Sequence, residues 1–228
     1  VSQLALPLRL ADHAVFGSFL AAGNETLVAT LSDLAGGGPG AGCWLWGAAA
    51  TGKTHLLQAV CEHAGDRAVY LPLARFADAD PGLLEGLASR ELICLDDIHA
   101  VAGSVDWERG LFGLVNQILD ASRRLIVAAT MPPRQCPIEL PDLASRLTRL
   151  PVFQVNPLAD DDRAAALKLR AHHRGLELPD DTARYLLTRN RRDMSSLYDL
   201  LDTLDRESLR AQRRLTIPFV RDVLANRG

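Results

Sequence analysis

The sequence predicts an α/β chain: a five-stranded, mainly parallel sheet with helices on both faces, followed by a small all-helical region. Three observations predict it. Five short apolar runs alternate with helical stretches between residues 43 and 155, the pattern of strand–helix–strand units. The strands stop after Asn156-Pro157, and a 3.6-residue apolar period takes over. A glycine-rich octapeptide at 47–54 follows the first apolar run, where a tight turn must feed a helix.

The elements follow in order. Residues 1–10 precede any periodic segment, and Pro7 biases Leu6 toward an extended backbone. Asn24 is placed to cap a helix running through Leu27, Leu31 and Leu34, which the glycines at 36–38 and 40 then end. The runs 43–46, 68–71, 92–95, 125–129 and 152–155 read as buried strands. Helices are expected at 53–63, 81–88, 105–121 and 141–147, and the prolines at 132, 133, 137 and 141 mark a long loop. Beyond Pro157, helices are expected at 159–174, 179–189 and 193–210, with a short last one after Ile217-Pro218. In the third of these, Met194, Leu197, Leu201 and Leu204 share one face, with Leu200 beside them. The expected division is therefore a segment 1–10, an α/β region 11–156 and a helical region 157–228.

Composition narrows the function classes. With 48% hydrophobic and 23% charged residues in 228, the chain is ordinary globular protein. No apolar run approaches the roughly 20 residues of a membrane helix, and no secretion-signal pattern opens the sequence; a cytoplasmic protein is expected. Net charge is −3, with 11 Lys+Arg against 16 Asp+Glu in residues 1–150 and 14 against 12 in residues 151–228. Neither part is the strongly basic module that grips DNA by itself. Cys43, Cys61, Cys94 and Cys136 form no Cys-x-x-Cys pair, so buried thiols are expected rather than a zinc or disulfide scaffold. The six histidines show no metal spacing.

The octapeptide Gly47-Ala48-Ala49-Ala50-Thr51-Gly52-Lys53-Thr54 matches G-x-x-x-x-G-K-[ST] completely. Chance agreement is about one in tens of thousands per position at average residue usage. Its glycines let backbone N–H groups turn toward phosphate oxygens, and the following helix presents its positive end to the same anion. Lys53 would neutralise the outer phosphates, and the Thr54 hydroxyl would hold Mg²⁺. Asp96 and Asp97 end the third apolar run. After a phosphate loop, Asp96 is expected to hold Mg²⁺ and Asp97 to polarise the attacking water; a turn acid or helix cap is the simpler alternative. Arg146 and Arg192 are the arginines that could stabilise phosphate charge, from this chain or a neighbour, and a solvated surface arginine is the alternative for each.

These motifs, in this order, resemble the AAA+ ATPase superfamily, and within it the DnaA branch. Phe16-Gly17-Ser18-Phe19 with Gly23-Asn24 is similar to the segment that opens the DnaA nucleotide domain. Asp96-Asp97-Ile98 resembles its second phosphate-side motif, Ala144-Ser145-Arg146-Leu147 its arginine-finger box, and Arg192-Asp193-Met194 its sensor-2 box. About ten residues follow Thr216-Ile217-Pro218-Phe219-Val220, so the initiator's helix-turn-helix is expected to be missing. Gln3-Leu4-Ala5-Leu6-Pro7-Leu8 resembles the sliding-clamp-binding motif of the Hda family, the regulatory inactivators of DnaA. The segments 132–135, 141–147 and 215–220 are similar to that family as well.

The resemblance implies an AAA+ base domain at 11–156 with a helical lid at 157–228. It implies ADP or ATP with Mg²⁺, bound by Gly47, Ala50, Thr51, Gly52, Lys53, Thr54 and His55, with Phe19, Leu20 and Arg192, and with Thr54 and Asp96 on the metal. It implies clamp contacts through Gln3, Leu4, Leu6, Pro7 and Leu8, with the DnaA initiator and the polymerase sliding clamp as partners, DNA reached only through them, and a possible homo-oligomer. Arg146 would act in trans on DnaA-bound ATP. Where the branch has polar residues after the fourth strand, this chain has Val127-Ala128-Ala129 and only Thr130, so its own hydrolysis is expected to be weak. Met131 stands where the branch often has arginine. A self-acting AAA+ ATPase such as a helicase loader is the alternative, and a small-molecule P-loop kinase a more distant one.

Overall fold

The computed structural model describes residues 14–189 and 194–225. They form two compact units. The first holds residues 14–16 and Asn24–Asn156; the second holds Gly17–Gly23 with the described part of Pro157–Gly228.

In the first unit, β1 (Gly42–Trp46), β2 (Ala68–Pro72), β3 (Leu92–Asp96), β4 (Arg124–Ala129) and β5 (Val152–Gln154) make one sheet in the order β2-β3-β4-β1-β5. Every pairing is parallel, with Cys43 and Cys94 both opposite Ile126. All of β3, and all but one end residue of β1 and β4, are buried, as expected of strands covered on both faces. Strand alternation sorts their side chains. Trp44, Ile93, Leu95, Leu125, Val127 and Ala129 meet α3 (Val105–Asp120) and α4 (Pro141–Leu147). The other face carries α2 (Lys53–Ala64), which packs on β2, β3 and β4, with α1 (Glu25–Gly36) against it. All four cysteines are buried and free. Burial pushes the Cys43 thiol up to about 12 and, with the Glu108 charge, the Cys136 thiol up to about 11, so these are packing groups, not reactive ones.

Three local expectations are corrected. The stretch 81–88 is not an α-helix but two 3₁₀ turns, Pro81–Leu84 and Leu87–Ser89. Gly86 between them takes φ 80°, a conformation that no helix interior admits. The fifth strand is not buried: Val152 is 44% exposed, because β5 is the sheet's edge and only three residues long. Asn24 precedes α1 but makes no side-chain cap. Its carboxamide instead accepts from the Asn156 N–H (2.8 Å) and donates to the Asn156 carbonyl (3.2 Å), closing the two ends of the α/β unit on each other.

The second unit contains α5 (Asp160–His173), α6 (Asp180–Arg189), α7 (Met194–Ala211) and α8 (Ile217–Ala225). Met194, Leu197, Leu200, Leu201 and Leu204 of α7 are all buried, packed with Leu167, Leu186, Phe219 and Val220. Arg170 is buried too, its guanidinium 4.8 Å from the Tyr198 ring centroid; burial first, then the Arg174 charge, lowers its pKa. Among the described residues, no helix is long and apolar enough to cross a membrane.

Candidate functional site

The octapeptide joins β1 to α2 at the end of the sheet where the parallel strands finish, the usual place for a ligand in such sheets. Its backbone explains its composition. A Cβ on Gly47 would lie 2.6 Å from the Val155 carbonyl oxygen, so only glycine fits there. Gly52 takes φ 96° as the residue before α2, and Ala50 takes φ 61°. Left-handed residues among right-handed ones cup successive N–H groups into an anion-binding concavity. Lys53 is the first residue of α2 and is only 6% exposed. Its ammonium donates to the carbonyls of Gly47 and Ala48, each at 2.8 Å, and the Thr51 hydroxyl also donates to Ala48 (3.0 Å). Burial lowers the Lys53 pKa, opposed by the Asp97 and Asp96 charges. The cation therefore sits inside the loop, over the position an anion would take.

Asp96 ends β3, is 1% exposed, and accepts from the Tyr70 hydroxyl at 2.9 Å. Burial pushes its carboxyl above the usual range; the hydrogen bond from Thr54 pulls it back, the Asp97 charge pushes again, and Tyr70 and Lys53 pull it down. So Lys53, Thr54, Asp96 and Asp97, separated by more than 40 residues of chain, act on one another electrostatically. This donor set fits a nucleotide phosphate chain with its divalent cation: a glycine cradle, one ammonium, one hydroxyl and one carboxylate. Asp97 adopts φ 55° and ψ 44°, and its N–H bonds back to the Asp96 carboxylate (3.1 Å). A non-glycine residue in this region is uncommon, and here it turns Asp97 sharply out of the strand.

The other expected residues are more dispersed. The His55 Nε2–H donates to the Val15 carbonyl at 3.0 Å. Thr130 lies half-buried just past β4, and the Trp44 indole donates to the neighbouring Met131 carbonyl. Phe19 and Leu20 belong to the second unit, where Leu20 packs against the helical core. Arg192, Gln3, Leu4, Leu6, Pro7 and Leu8 lie outside the described residues. Tyr70 escaped the sequence reading. Its signal was available, since it pairs with Cys94 in β3 and so shares a face with Asp96.

Arg146 is in the last turn of α4, on the sheet face opposite α2. Its guanidinium lies 5.3 Å from the Phe112 ring centroid on α3. Among the described residues, none hydrogen-bonds or ion-pairs with that guanidinium.

A model of the bacterial DnaA ATPase domain matches residues 10–151, more than half of the chain. The chain belongs to the bacterial DnaA ATPase-domain family. A model of the Hda lid domain matches residues 160–224, so this DnaA-family AAA+ chain pairs an α/β base with a helical lid of the Hda kind. Solved structures agree on the fold. Domain III of the Thermotoga maritima replication initiation protein DnaA superposes with a TM-score of 0.78 at 17% identity, over 96% of this chain and 98% of that one. DnaA from Aquifex aeolicus, solved with AMPPCP, gives 0.67 at 21% identity, over 86% of this chain and 66% of that one. The Thermotoga maritima RuvB Holliday junction branch migration motor gives 0.62 at 16% identity, over 88% and 67%. The chain thus spans about two thirds of the length of these two longer structures.

Proposed function

We propose that this protein is a nucleotide-bound regulator of DNA replication initiation, which docks on the polymerase sliding clamp and stimulates hydrolysis of DnaA-bound ATP. The observation that carries the reading is the pairing of a DnaA-type base with an Hda-type lid. In it, Gly47, Ala50, Thr51, Gly52 and Lys53 hold ADP or ATP, and Thr54 and Asp96 hold Mg²⁺. The nucleotide of a DnaA relative bound to AMPPCP supports the ligand class. Bound Mg²⁺ would screen the phosphate charge; the chain's own residues supply the cradle, the ammonium and the carboxylate. Asp97 orients water, while Thr130 alone stands where the branch carries polar sensor residues, which supports weak hydrolysis by the chain itself.

Arg146 is the effector, reaching in trans to the nucleotide of DnaA. Its guanidinium is described only against an aromatic face, a cation–π contact that leaves its N–H donors able to engage a phosphate. A trans arginine is worth about 10³–10⁵ in rate, enough for an adaptor to switch an initiator. The segment from Gln3 to Leu8 would seat Leu6 and Leu8 in an apolar clamp pocket with Gln3 at its rim. The test is ATP turnover by DnaA with clamp-loaded DNA, with and without this chain. Stimulation is expected from the native chain, and its loss from Arg146→Ala and from the Gln3→Ala, Leu6→Ala pair, the latter together with clamp pull-down. Full stimulation by Arg146→Ala would sink the mechanism.

The complete set Lys53, Thr54, Asp96 and Asp97 also favours a second reading, a self-acting AAA+ ATPase such as a helicase loader. It requires steady-state turnover by the isolated chain, indifferent to the clamp.

A further inference from the structure

We propose that Glu108 is the positioning residue that aims Arg146, because its one buried carboxylate ties the arginine-bearing helix to the turn that follows Asp96-Asp97. The inference rests on the reading of Arg146 given above. Glu108 lies on α3 and is 2% exposed. No cation among the described residues pairs with it. Three backbone N–H groups satisfy it instead. Oε1 accepts from Gly103 (2.7 Å) and Glu139 (3.0 Å), and Oε2 from Glu139 (3.1 Å) and Leu140 (2.6 Å). Gly103 belongs to the loop after the 3₁₀ turn Ile98–Ala100, which Asp97 begins. Glu139 and Leu140 lead directly into α4.

That anchor matters because α4 is poorly equipped to hold itself. It has seven residues, Leu140 in the cap position offers no side-chain acceptor, and Pro141 opens the first turn. A helix this short is unstable alone. Buried Leu143 and Leu147 fix how deeply it sits, but apolar contacts are not directional. The hydrogen bonds to Glu108 are, and charge-assisted bonds are about twice as strong as neutral ones. They set where the chain enters the helix, and hence where Arg146, one turn and a half later, leaves it. Glu108 touches no reacting atom; it acts through Arg146.

Glu108→Gln tests this, since its amide group turns a donor toward donors while keeping the size. Two readouts separate the inference from the reading beneath it. The first is the NMR ring-current shift on the Arg146 side chain from Phe112, which needs no partner protein. It should shrink, and the amides of Gly103, Glu139 and Leu140 should lose exchange protection together. The second is stimulated DnaA turnover, which should fall on the order of 10²-fold, the cost of an ångström-scale misplacement. The nucleotide affinity of the chain's own loop should stay unchanged, and the double variant should be no worse than Arg146→Ala alone. An unchanged Arg146 shift, or full stimulation from a variant with unprotected amides, overturns the proposal. If the native chain gives no stimulation, the underlying reading fails, and the Arg146 shift alone decides the placement of Glu108. Should Glu108→Gln not fold, Glu108→Asp keeps the charge but is too short to span Gly103 and Leu140. The same two readouts then apply, with the same overturning results.

Discussion

The phosphate loop and the arginine helix are two parts of one α/β unit, built by contrasting means. In the loop, the key atoms come from eight consecutive residues. Gly47 and Gly52 provide the backbone shape, and Lys53 reaches back to the carbonyls of Gly47 and Ala48. The arginine helix is assembled from afar. Its entry is held by Glu108, about thirty residues upstream, and its arginine rests on Phe112. A contiguous motif carries its own geometry; a helix of seven residues borrows its geometry from the elements that surround it.

If the contrast holds, damage to one region should spare the other. The largest effect is expected from Leu143→Ala, which empties a fully buried site under α4. It should cost about 2–5 kcal/mol of stability, read by denaturant unfolding, and abolish stimulation of DnaA while leaving nucleotide affinity intact in the folded fraction. Equal loss of nucleotide would show that the two regions are one. Next in size is Lys53→Ala. Losing the only ammonium of the loop should weaken nucleotide binding by about 100-fold, measured by titration with a fluorescent ATP analogue, while the Arg146 resonance on Phe112 stays put.

The smallest effect concerns Asp96. Burial raises its carboxyl pKa above the usual value of 3.8, so the native state holds that proton more tightly than the unfolded chain does. Stability contributed by this group is therefore lost as pH rises from the ordinary carboxylate value through the raised one. Asp96→Asn should stabilise the nucleotide- and Mg²⁺-free protein at pH 7, where the buried carboxylate carries its charge. That gain should fade as the pH is lowered from the raised value to the ordinary carboxylate one, as followed by thermal melts across pH. A gain independent of pH would mean that packing, not charge, is responsible.

The same contrast explains what could be read in advance. Strands β1, β3 and β4 were legible as unbroken apolar runs because both of their faces are covered. The leucines of α7 were legible because a buried helix face repeats every three or four residues. The turn pair at 81–89 was not, since two glycines there outweigh an apolar pattern that would suit a helix. The role of Asn24 was missed because its partner, Asn156, is 132 residues away. Tyr70 and Glu108 are single polar residues in apolar or amphipathic segments, and nothing local marks their partners.

The sequence by itself determined the parallel sheet, the helical second unit and the phosphate loop, because each depends on periodicity or on consecutive residues. Only the tertiary structure decided that Tyr70 meets Asp96, that Asn24 closes the unit on Asn156, and that Glu108 holds the entry to the Arg146 helix. The physical reason is common to all three. A buried polar group must find a hydrogen-bond partner, but which partner it finds depends on elements that the fold, and not the chain order, brings alongside.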